Sequence, residues 1–88
     1  MKSKPPTPSH AAIEEIANQV KPGTPPAIIE SLAAQLSLAR EARGRIVKEG
    51  SVVRDPKGSV VAHPAIKIEA DALKLLAPLL KEWKRRHM

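Results

Sequence analysis

Five basic residues in the last quarter of the chain have a spacing that could bind a phosphate backbone. Lys67, Lys74, Lys81 and Arg85 project within roughly 40° of one another on an undistorted helix, and Arg86 follows directly. Such a stripe could follow nucleic-acid phosphates with an affinity that depends on salt and reads no sequence. We therefore assign these residues as candidate DNA contacts. The alternative is an ordinary solvated face that keeps the helix soluble.

No other set of residues has the arrangement of a reactive or metal-binding site. His10, His63 and His87 lack a carboxylate cluster at ligand spacing, and the sequence has no cysteine. No serine has a plausible base with an orienting carboxylate. We predict a protein that is not an enzyme and that needs no metal or cofactor. His63 precedes a proline, and we expect its side chain to cap the following helix or to hydrogen-bond the segment before it.

The composition predicts one small domain with a thin core and a basic surface. The chain has 88 residues, its only aromatic residue is Trp83, and thirteen of its apolar residues are alanines. Such a domain is marginal alone, and oligomerisation is one ordinary remedy. The formal net charge of +6 favours polyanionic partners. The basic N-terminus continues into prolines rather than an apolar run, so we expect neither an export signal nor a membrane span.

Proline, glycine and charge divide the chain into three segments. Residues 1–8 contain three prolines and two lysines, and we expect them to form a disordered tail. Residues 9–23 should form a short helix and a linker, with Ser9 as the helix N-cap. Residues 24–86 should form a helix–hairpin–helix core that also serves as the oligomerisation domain.

The helix–hairpin–helix unit follows from local signals. The first long helix is predicted over 25–49, with Thr24 as its N-cap. Short valine strands flank the turn at 55–58, and Pro64 begins the second long helix. Pro78 should kink or split that helix, because it removes a backbone hydrogen bond. The expected fold class is mainly α: a short N-terminal helix and two long helices of antiparallel type, joined by a small β-hairpin, in an oligomer.

Both long helices carry apolar arcs wider than a single neighbouring helix needs. We therefore expect part of these arcs to contact other subunits. The predicted oligomerisation residues are Ile28, Leu32, Leu36, Leu38, Leu76, Leu80 and Trp83.

Arg43 is unusual because the helical period places it in the middle of the apolar face of the first long helix. It can extend to solvent, pair with Glu69 or Asp71 across a helix junction, or reach a partner subunit. We favour an intrachain pair, since buried charges are nearly always matched.

The order of residues around the hairpin resembles one branch of the small terminase subunits of tailed bacteriophages. The similarity is carried by Glu49-Gly50-Ser51-Val52-Val53, then Gly58, then His63-Pro64-Ala65, and it covers about residues 28–82. It implies a non-catalytic, often ring-shaped homo-oligomer that packages DNA. The implied partners are double-stranded viral DNA and the large terminase subunit with its ATPase and nuclease. The implied location is the host cytoplasm, with the gene carried by a virus or prophage.

Two other classes of protein remain as alternatives. The first is a small phage-encoded adaptor or modulator that binds a protein partner with its apolar faces and does not contact DNA. The second is a transcriptional regulator. It would need a recognition helix, but the first long helix begins with Pro-Pro-Ala-Ile-Ile-Glu, which are poor base-reading residues.

Overall fold

Helices dominate the computed structural model, which describes residues 8–85. In chain order the elements are α1 (His10–Gln19), α2 (Pro26–Glu49), β1 (Val52–Arg54), β2 (Val60–Ala62) and α3 (Pro64–Trp83). The predicted architecture of one short helix, two long helices and a connecting hairpin is thus confirmed. The predicted tail lies almost wholly outside the described residues. Among these elements no helix is long and apolar enough to cross a membrane.

The start of α1 is capped as its sequence predicts. The Ser9 hydroxyl accepts a hydrogen bond from the Ala12 amide at 3.1 Å, which satisfies one of the free donors of the first turn. Apolar residues then recur on one side of the helix, and Ala12 and Ile16 are buried. The helix ends at Gln19.

The prediction that Thr24 caps α2 is wrong. Its hydroxyl donates to the Lys21 carbonyl at 2.6 Å and therefore closes the linker turn instead. Gly23 lies in this turn with φ of +86°, a conformation that glycine adopts without strain. Pro25 occupies the N-cap position, and α2 begins one residue later than predicted, at Pro26.

The hairpin has the predicted position and an antiparallel register. Val53 pairs with Val61, and Arg54 pairs with Val60. The Asp55 carboxylate stabilises the turn by accepting hydrogen bonds from the backbone amides of Lys57 at 3.0 Å and Ser59 at 2.8 Å. The hairpin therefore reverses the chain between the two long helices.

The third helix is not split at Pro78. It begins at Pro64 and remains helical through Pro78 to Trp83. The next residue, Lys84, has an extended backbone conformation. Lys84 then pairs with Val20 in an isolated antiparallel bridge. The Lys21 amide donates to the Trp83 carbonyl at 2.9 Å, so the linker after α1 is joined to the end of α3.

The core consists of two apolar clusters that define how the helices pack. The larger cluster joins all three helices and contains Ala12, Ile16, Val20, Leu32, Ala33 and Leu76. The smaller contains Ala42, Ile46 and Ala65, next to the hairpin. The end of α2 therefore meets the start of α3, and the start of α2 meets the end of α3. The long helices are antiparallel, and α1 shares their core.

Most of the predicted oligomerisation residues contact the chain's own core. Leu32 is 1 % exposed and Leu76 is 6 % exposed. Four others are partly buried against the same cluster: Ile28, Leu36, Leu80 and Trp83. Leu38 is half-buried and lies outside both clusters. The helical period identifies an apolar face but not the neighbour that covers it, and most of these side chains are covered by the chain's own helices.

Candidate nucleic-acid interface

Three lysines of α3 lie on the side of the helix away from the core. Ala65, Ala72 and Leu76 are the buried positions of α3. At about 100° per residue, Lys67, Lys74 and Lys81 project roughly 140° to 180° away from these positions. All three lysines are exposed. Their seven-residue spacing separates them by about 10.5 Å along the helix axis. We call Lys67, Lys74 and Lys81 the lysine stripe.

Arg85 does not continue the lysine stripe, contrary to the sequence expectation. The helix ends at Trp83, and the Arg85 amide donates to the Gln19 carbonyl at 2.7 Å in the bridge to the linker. Arg85 therefore follows the extended Lys84 and is not part of a further helical turn. Arg86, the other predicted DNA contact beyond the helix, lies outside the described residues.

The arginines of α2 are paired with carboxylates, whereas the lysines of α3 form no ion pair within the described residues. Each of the three arginines of α2 has a carboxylate partner: Arg40 pairs with Glu15, Arg43 with Glu69, and Arg45 with Glu49. Within residues 8–85, the lysine stripe forms no ion pair. Asp71 is exposed on the same helix, but it pairs with none of these lysines. Lys48 of α2 is also unpaired within these residues, but the lysine stripe sets three free cations in a row on one side of a helix, where they can meet an external anion.

The predicted pairing of Arg43 with Glu69 is confirmed. Arg43 Nε donates to Glu69 Oε2 at 2.7 Å, and Nη2 donates to Oε1 at 2.5 Å. The Arg43 side chain is 59 % exposed, so the residue lies at the edge of the apolar face and not in its middle. The hydrogen bond to Glu69, and then its negative charge, raise the pKa of Arg43. This guanidinium is thus engaged within the chain.

His63 connects the hairpin to α3. Its Nδ1 accepts a hydrogen bond from the Ala65 amide at 2.9 Å, which confirms the predicted cap. Its own amide donates to the Ser51 carbonyl at 2.9 Å. The residue is 2 % exposed, and its Nε2 lies 3.3 Å from Glu49 Oε1. These contacts give His63 a structural role at the junction between hairpin and helix.

The described part of the chain contains no group of three or more histidine, cysteine, aspartate or glutamate side chains that could hold a metal ion. Comparisons with protein-family models, with curated proteins and with solved structures found no match to this chain.

Sequence reasoning missed two features near this surface. The first is the bridge between Val20 and Lys84, which lies directly after the last residue of the stripe-bearing helix. It depends on backbone groups far apart in sequence, so no local signal marks it. The second is the position of the Lys21 ammonium group, 5.7 Å from the centre of the Trp83 ring. A lysine next to a proline and a distant tryptophan do not predict such a contact.

Proposed function

We propose that this protein is a non-catalytic DNA-packaging subunit comparable to the small terminase subunit of tailed bacteriophages. It self-associates, binds double-stranded DNA through the lysine stripe and delivers that DNA to a large terminase subunit. The observation that supports this best is the contrast between the paired arginines of α2 and the unpaired lysine stripe within the described residues.

The lysine stripe favours a backbone-tracking mode of DNA binding. Lysine is a compact point charge that attracts phosphate without the fixed fork geometry of arginine. Three such contacts would make the logarithm of the binding constant fall with the logarithm of salt concentration, with a slope of about −2.7. The described part of α3 offers no set of side chains for base readout, so this affinity is independent of DNA sequence.

DNA binding is tested by fluorescence anisotropy of a labelled duplex titrated with the full chain at several salt concentrations. Lys74→Glu with Lys81→Glu removes two of the three contacts and is expected to weaken binding about tenfold or more, with a shallower salt slope. The matched control is Lys48→Glu with Lys57→Glu, which changes the net charge equally at exposed positions on α2 and in the hairpin turn. Equal losses in both variants would mean that net charge, and not the lysine stripe, binds the DNA.

The packaging role is tested separately from DNA binding. The gene is expected to lie beside a reading frame for a large ATPase–nuclease, and the product of that reading frame should co-purify with the chain when both are expressed together. A gene with no such neighbour would refute the packaging role and leave DNA binding to be judged by the anisotropy result.

A protein-binding adaptor is the second candidate, favoured by the exposed apolar side chains of α3. Leu73, Leu75 and Leu79 are 45 %, 57 % and 44 % exposed. Isolated exposed leucines are common, but several on one helix are typical of a surface that contacts another protein. Absence of duplex binding at low salt would favour this candidate.

A further inference from the structure

One side of the α2–α3 pair has no helix against it within the described residues. On the other side, the Ser9 amide donates to Ser37 Oγ at 2.9 Å, and Glu15 pairs with Arg40, so α1 packs next to these α2 positions. Around α2, Leu38 projects about 100° from Ser37 and about 160° from Arg40. Leu38 therefore points away from α1.

This open side is apolar on α3 and carries Leu38 on α2. Ile68, Leu75 and Leu79 of α3 project within about 40° of one another and are 37 %, 57 % and 44 % exposed. Leu38 and Ile68 line one shallow groove between the two helices. We call Leu38, Ile68, Leu75 and Leu79 the open face.

Charged residues of opposite sign border the open face. Glu41 and Arg45 line the same groove as Leu38 and Ile68 and lie one turn apart on α2. Glu41 forms no ion pair within residues 8–85. Arg45 reaches Glu49 only at 3.6 Å, and both side chains of that pair are about half exposed. A surface with one acid and one base beside an apolar groove is complementary to a copy of itself turned by 180°.

We propose that a second copy of this chain covers the open face through a two-fold symmetric contact. The α2 helices of the two protomers run antiparallel, and Glu41 of each faces Arg45 of the other. The axis passes between these residues, so both ion pairs form at once beside the buried groove. The same arrangement directs Leu75 and Leu79 towards the hairpin end of the partner, where Val52 and Val60 are 57 % and 61 % exposed.

This contact specifies the self-association in the proposed function and leaves the lysine stripe free. Around α3, Lys74 projects about 100° from Leu75 and about 140° from Leu79. One helix can therefore contact a second copy with one side and DNA with another. DNA itself is a poor occupant of the open face, because a carboxylate and leucine side chains repel or fail to bind phosphate.

Charge reversal tests the contact by sedimentation velocity on the full chain. Glu41→Arg alone, or Arg45→Glu alone, brings like charges together across the axis and is expected to raise the dimer dissociation constant about tenfold or more. The double variant E41R/R45E restores opposite charges and should dimerise like the unmodified chain. An equimolar mixture of the two single variants should form a heterodimer, since both of its pairs are again opposite in sign.

An apolar substitution provides a second test. Leu75→Ser should weaken the dimer, whereas Leu73→Ser, at a similarly exposed leucine on the side of α3 towards Ile66, should not. Circular dichroism verifies that each variant is folded. An unmodified chain that remains monomeric at tens of micromolar, or single reversals that associate as strongly as it does, would overturn the proposal.

The two proposals fail in different ways. If the charge reversals have no effect while Lys74→Glu with Lys81→Glu still weakens DNA binding, the open face is not the interface and the proposed DNA function stands. If the reversals and their rescue behave as expected but no duplex is bound, the dimer stands and the DNA function fails.

Discussion

Arg43 and Glu69 form a two-pronged ion pair that joins α2 to α3. Each guanidinium donor bonds its own carboxylate oxygen: Nε donates to Oε2 at 2.7 Å, and Nη2 donates to Oε1 at 2.5 Å. The Glu69 side chain is 15 % exposed. Bidentate pairs of this kind are directional as well as attractive. Arg43 directly follows Ala42 of the smaller cluster on α2, and Glu69 lies one turn after Ala65 on α3, so the pair fixes how the two helices align beside that cluster.

Arg43→Lys is expected to lower the melting temperature, because lysine cannot present two parallel donors to Glu69. Arg43→Gln should lower it further. The pKa of Arg43 is raised in the folded chain, so its stabilising effect is complete below the ordinary arginine pKa and declines only as the pH rises through the raised value. The difference in melting temperature between the unmodified chain and Arg43→Gln should therefore stay constant from neutral to moderately alkaline pH. Calorimetry at several pH values measures it, and a difference that shrinks within this range would contradict the assignment.

His63→Ala is expected to destabilise the chain by about 1–3 kcal/mol, since it removes the helix cap and a buried side chain. His63→Asn keeps a side-chain acceptor at the N-cap and should recover about 1 kcal/mol of that loss. Urea unfolding followed by circular dichroism measures both. Equal losses in the two variants would show that the cap is not what His63 contributes.

Leu32→Ala should destabilise the folded chain by about 2–5 kcal/mol, because Leu32 is 1 % exposed in the shared core. Leu38→Ala should have a clearly smaller effect on unfolding, since Leu38 is only half-buried and belongs to neither cluster. Unfolding curves at two protein concentrations separate intrachain packing from subunit contacts. A Leu32→Ala loss that disappears on dilution would instead place Leu32 in an interface between subunits.

Pro78→Ala is expected to stabilise the chain by about 1–3 kcal/mol. The helix continues through Pro78, and alanine would restore the missing amide donor and remove the clash of the proline ring with the preceding turn. Thermal unfolding measures the change. The expected rise in melting temperature requires that α3 stay continuous at this point, and a fall would indicate that the proline sets a bend on which packing depends.

The sequence determined the elements and their order because their boundaries are local. Ser9 caps α1, and His63 and Pro64 begin α3, through contacts with residues a few positions away. Gly50 ends α2 with φ of +90°, a conformation that strongly favours glycine. The pairing of Arg43 was also predictable, since the sequence placed this cation on an apolar face and the other long helix offers Glu69 and Asp71 as carboxylate partners.

Only the tertiary structure decided which neighbour each apolar face meets. Leu76 and Leu79 both belong to the broad apolar arc of α3, yet Leu76 is 6 % exposed in the core and Leu79 is 44 % exposed on the open face. Helical periodicity fixes the direction of a side chain around its own axis, and it carries no information about where the other helices lie. The same limit applied to Arg85, whose amide bonds a distant backbone carbonyl. Thr24 was mispredicted for a local reason, because its hydroxyl donates to the Lys21 carbonyl three residues back.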